Sequence, residues 1–157
     1  MVGNLTVYRV RTQMENSDIK PSTIMLIAGG AVLLLSTFLD WVSFGSGNFE
    51  VGANAWETDG FGLQGIFVAI IGLAIGGGAA LRQFGNVSMP DRILGLDHNQ
   101  LHLALGFAAF LIAFGLQFRD GAAIGVLLAW ASAAVIVAAA IMDMRSGAGD
   151  ATPPTQF

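Results

Sequence analysis

The 157-residue chain contains no cysteine. Disulfides, thiolate metal sites and cysteine nucleophiles are therefore excluded. Charge is scarce too: only 11% of the residues are Asp, Glu, Lys or Arg, against about 25% in a typical soluble domain. The seven bases are outnumbered by eleven acids, for a net charge of −4. Nucleic acid binding needs clustered Lys and Arg to neutralise phosphates, so nucleic acid is excluded as a partner. What fills the chain instead is 54% hydrophobic residues together with 21 glycines, a mixture suited to helices in a lipid bilayer, where glycine is frequent.

Four apolar runs organise the sequence: 22–39 (STIMLIAGGAVLLLSTFL), 63–81 (LQGIFVAIIGLAIGGGAAL), 101–118 (LHLALGFAAFLIAFGLQF) and 122–142 (AAIGVLLAWASAAVIVAAAIM). None contains Asp, Glu, Lys or Arg, and none shows the polar stripe at a period of 3.6 that a soluble helix needs. About 20 residues cross a hydrocarbon core, so the expected fold is an all-α integral membrane protein, a four-transmembrane-helix bundle over 22–145. Residues 1–21 are expected to form a polar cytoplasmic segment and residues 146–157 a disordered cytoplasmic tail. Arg9, Arg11, Lys20, Arg82, Arg92 and Arg145 fall on one side of the runs and Arg119 alone on the other. That asymmetry predicts a multi-pass protein of the cell membrane with both termini in the cytoplasm. Ala53-Asn54-Ala55 has the form of a signal-peptidase site, but it lies too far beyond the first run, which is read as a retained helix.

The outer loop, 40–62, carries Asp40, Glu50, Glu57 and Asp59 and no base. Its WVSF, GSGN and FEV segments would form a short β-hairpin around a Gly-rich turn. Trp41 and Trp56 read as aromatic anchors at the bilayer edge, and Asp40 as a helix-end or loop-anchoring acid. With Glu57 and Asp59 these are the candidate interaction residues. A calcium site among the acids would need clustered carboxylates, and their spacing matches no defined loop; solvated charge is the plainer reading.

Inside the membrane, Gly72-x-x-x-Gly76 and Gly121-x-x-x-Gly125 place small residues four apart, the spacing that lets helix backbones approach. They read as packing faces within one bundle, with a homo-oligomeric interface along the second helix as the sharper alternative. His98 and His102, four apart, would share a helical face as a metal-ligating or pH-sensing pair does. The plainer reading places them at headgroup level, with Asp97 or Asn99 capping the helix. No acid or base lies at mid-depth, which argues against an ion-coupled transporter, and no nucleophile–base constellation or phosphate loop is present. No cofactor is expected.

FL-x-W at 38–41, NAW at 54–56, LRQFG at 81–85 and GAAIGVLLAW at 121–130 together resemble a group of small four-helix membrane proteins common in actinobacteria that have no assigned function. The resemblance covers roughly residues 22–145 and transfers no catalytic residue. Asp40 departs from it, standing where that group usually has proline. The function expected is that of a non-enzymatic scaffold or accessory subunit, contacting the lipid bilayer and a membrane or envelope partner through the outer loop. A homo-oligomeric pore or uncoupled small-solute carrier is the alternative.

Overall fold

A computed structural model describes residues 19–45, 51–57, 63–85, 90 and 92–149. The elements run α1 (Pro21–Ser36), β1 (Asp40–Phe44), β2 (Val51–Asn54), α2 (Gln64–Phe84), β3 (Arg92–Ile93), β4 (Leu96–Asp97), α3 (His98–Gln117) and α4 (Ile124–Gly149). Three of them, α2, α3 and the stretch 124–146 of α4, are long and apolar enough to cross a membrane; α1 is apolar but shorter.

The helices lie side by side in the order α2, α1, α4, α3, and α2 touches α3 only lightly. Glycine sets the spacing of the α1–α2 pair. A methyl group at Gly30 would fall 2.5 Å from the backbone N and Cα of Gly76, and one at Gly72 would fall 2.9 Å from the N of Leu34. The Gly72-x-x-x-Gly76 face is thus closed by α1 of the same chain, which leaves it no room for a second copy. Leu33, Val68, Ile75, Val126 and Ile136 are fully buried between the helices. Outward, Leu35, Phe67, Ile70, Leu73, Phe107 and Leu111 are exposed, the apolar exterior of a molecule whose solvent is lipid.

α1 starts on Pro21 at its first turn, where the missing N–H costs nothing. It ends at Ser36, short of the expected Leu39. The Ser36 and Thr37 hydroxyls donate 2.6 Å bonds back to the carbonyls of Leu33 and Leu34, and the backbone tightens into successive i→i−3 bonds up to Leu39. Hydroxyls that bond back to the preceding turn compete with the regular ladder. Asp40 therefore opens a strand instead of ending a helix.

The expected hairpin is present. β1 and β2 pair antiparallel, with Asp40 opposite Asn54 and Phe44 opposite Val51, and a bulge falls between Asp40 and Val42. A second, tiny hairpin between β3 and β4 was not foreseen. Its turn, Leu94-Gly95, has both φ values positive, +54° and +81°, as a two-residue type I′ connection requires. α3 begins at His98, earlier than expected, because Asp97 and Gln100 form a reciprocal capping box. α2 runs on to Phe84, past the expected end at 81. α4 continues to Gly149, so 146–149 are helical where a disordered tail was expected; Ser146 Oγ–H donates to the Asp143 carbonyl at 2.9 Å.

Candidate functional site

Two regions gather the polar and aromatic residues, one at each end of the bundle. At the hairpin end the main correction concerns Trp41. It is not a bilayer-edge anchor: it is 0% exposed, and its indole N–H donates to the Ser36 carbonyl at 2.8 Å. Asp40 and Phe44 are exposed, so strand alternation points Trp41 inward, and the bulge adds Val42 to the same buried face. Gly125 makes the space, because a methyl group there would meet the Trp41 ring and lie 2.7 Å from the Asp40 carbonyl and 2.9 Å from that of Ser36. Gly121, at φ +79°, makes the α3–α4 turn and brings its carbonyl 2.8 Å from the Ser43 N–H. Gly121 and Gly125 therefore admit the hairpin, and Gly125 also the last residue of α1.

The rest of the hairpin-end set divides. Trp56 is exposed and stands against Phe38, with ring centroids 5.4 Å apart. Glu57 and Asp40 are exposed; the Asp40 carboxylate lies over Gly52, which has no side chain to obstruct it. Asp59 lies outside the described residues. Phe44 and Val51 face outward at 59% and 69% exposure.

At the opposite end, the N-termini of α1 and α3 and the C-termini of α2 and α4 enclose a cavity of about 390 Å³. Lys20 and Thr23 line it from α1 and its cap, Arg82 from α2, Asn99 and His102 from α3, and Asp143 from α4. His102 is only 7% exposed. Its Nδ1 and the Nε2 of His98 are buried without a hydrogen-bond partner. Among the described residues no group of three His, Asp or Glu side chains is placed to hold a metal ion.

Ser22 Oγ–H donates to Asp143 Oδ1 across this end, tying α1 to α4. A serine, a histidine and an aspartate thus meet around one space. The hydroxyl is bonded directly to the carboxylate with no imidazole between them, so the three are not arranged as a Ser-His-Asp relay. Sequence reading missed this gathering, since Asp143 next to Arg145 looks like an ordinary helix boundary. The one available signal was that Ser22, His102 and Asp143 all sit at run ends on the same predicted side. No family model, curated protein or solved structure matches the chain at a significant level, so its chemistry is read from its own geometry.

Proposed function

We propose that the chain is a four-span protein of the cell membrane, with both termini cytoplasmic, that acts as a non-enzymatic scaffold or accessory subunit. The role rests on one observation, the outer hairpin held rigid from behind. Trp41 and the bonds to 121–123 fix its inner side, while Phe44, Val51 and the Phe38–Trp56 pair face outward. Aromatic groups fixed in advance bind a partner at low entropic cost.

Two arguments support the span count and direction. The 16 residues of α1 rise about 24 Å, and the three i→i−3 residues that follow add about 6 Å, which reaches the roughly 30 Å of a hydrocarbon core. Lys20, Arg82, Arg92 and Arg145 lie at the end opposite the hairpin, the side that basic residues mark as cytoplasmic. The transport alternative is weakened by the interior: Ser36, Thr37 and Ser132 spend their hydroxyls on carbonyls of their own helix and offer no polar path.

A photocrosslinker at Val51 or Glu57, used in native membranes, is expected to capture one defined partner, and Trp56→Ala to reduce that capture. No discrete adduct at either position would sink the scaffold reading. Solute flux through proteoliposomes of the purified protein would replace it with the carrier.

A further inference from the structure

The hairpin presents a backbone edge as well as an aromatic face, and its two edges differ. β1 is closed on one side by its own chain: the Ser43 N–H donates to the Gly121 carbonyl at 2.8 Å and the Ala123 N–H to the Trp41 carbonyl at 3.0 Å. β2 pairs with β1, and among the described residues no strand lies along its other edge. The register fixes what that edge offers. Ser43 turns its N–H toward Gly121 and away from β2, so its partner Gly52 sits at a non-bonded pair and turns its own N–H and carbonyl outward. Gly52 is exposed. The strand, Val-Gly-Ala-Asn, carries neither proline nor charge, two of the devices that keep an edge strand from pairing.

The chemistry beside this edge is two-sided. Val51 and Ala53 point to one face of the strand and Gly52 to the other. On the Gly52 face the Asp40 carboxylate occupies the place a side chain would fill, and it forms no hydrogen bond or ion pair with another described residue. The segments that join the helices at this end, 37–63 and 118–123, hold five acids and one base, Arg119. A second copy of the chain brings the same excess of acid and is repelled, so the charge selects a basic partner.

We propose that the open edge of β2 receives an extended segment of a basic partner, in which Lys or Arg alternates with apolar residues. The segment adds to the hairpin as an outer strand: its backbone bonds the Gly52 N–H and carbonyl, its basic side chains fall beside Asp40, and its apolar ones beside Val51. Glycine at the pairing position lets a second backbone come close. The inference rests on the reading of this end as the partner-contact surface and gives that contact its chemistry.

The test uses the purified full-length protein in phosphatidylcholine nanodiscs, whose lipid adds no net charge, and follows the fluorescence anisotropy of labelled peptides against empty nanodiscs. The probes are an alternating Lys-Val peptide, an alternating Glu-Val peptide, a peptide with the same Lys and Val in two blocks, and the alternating Lys-Val peptide N-methylated at its central amides. Saturable binding of the alternating Lys-Val peptide above the other three supports the proposal. Equal binding of the block peptide reduces the effect to general charge attraction, and equal binding of the N-methylated peptide removes the strand pairing; either overturns it. So does stronger binding of the Glu-Val peptide, or no binding of any probe. Asp40→Asn is expected to weaken binding about twofold to fivefold, the range of an exposed charge pair. Val51→Lys, which sets a like charge at the edge, should weaken it at least as much, and unchanged binding in both variants rejects the site. If the peptides fail while the photocrosslinker at Val51 or Glu57 still captures one partner, the contact surface stands and the strand pairing alone falls.

Discussion

Trp41 shows how one side chain can organise an end of the bundle. Its ring is closed off by Gly125, and its N–H satisfies a carbonyl released by the end of α1. Trp41→Ala is expected to cost about 3–5 kcal/mol, the usual result of emptying a large aromatic site. Trp41→Phe should cost about 1 kcal/mol, from the indole hydrogen bond it removes, since the Ser36 carbonyl keeps the Leu39 N–H. Thermal unfolding of the purified protein checks both, and a melting point unmoved by Trp41→Ala would contradict the packing described. Glycines give a sharper contrast. Gly125→Ala drives a methyl into the indole and into two backbone carbonyls, an overpacking worth about 1–3 kcal/mol of destabilisation. Gly78 has nothing within 4 Å of the same added atom, so Gly78→Ala should stabilise by up to about 1 kcal/mol through helix propensity. The two substitutions should therefore differ in sign.

At the level of elements, the hairpin is the part on which the others depend. Gly121→Ala places a side chain at φ +79° and 2.5 Å from the Ser43 carbonyl. It should loosen β1 from the α3–α4 turn at a cost of about 1–3 kcal/mol. Increased amide exchange at Ser43 and Ala123, with little change in α2, would be the mark of that local loss. Much of this layout was legible in the residues. Uncharged runs of 18 residues or more can be little else than buried or lipid-facing helices, and the WVSF segment marked the first strand, whereas the second runs over Val51–Asn54 and shares only Val51 with the expected FEV, whose first two residues lie outside the described residues. The burial of Trp41 was not legible, because the groups that enclose it, the Ser36 carbonyl and Gly125, lie on other segments of the chain. The same reasoning covers the cavity at the opposite end. Ser22, His102 and Asp143 lie far apart in the chain, and only the antiparallel packing of α1 and α3 against α4 brings them to one level. Gly72 and Gly76 lie against Gly30 of α1, the other half of a signal that sequence spacing gives one helix at a time.

The absence of cysteine makes the whole molecule open to a direct test of topology. Single cysteines at Val51 and Leu94, both exposed, should label from opposite sides of an intact cell membrane: Val51 with an impermeant maleimide from outside, Leu94 only after permeabilisation. The reverse pattern would invert the topology proposed. Connectivity also sets how rigid the bundle is from end to end. At the hairpin end, bonds among the described residues cross between segments, from Ala55 to Thr37, Trp41 to Ser36, Ser43 to Gly121 and Ala123 to Trp41. At the far end the Ser22–Asp143 bond spans α1 and α4 beside a cavity, and α2 meets α3 only lightly along the way. Among the described residues the hairpin end is thus cross-tied from several segments, so a load on the hairpin face is shared by α1, β2 and the α3–α4 turn.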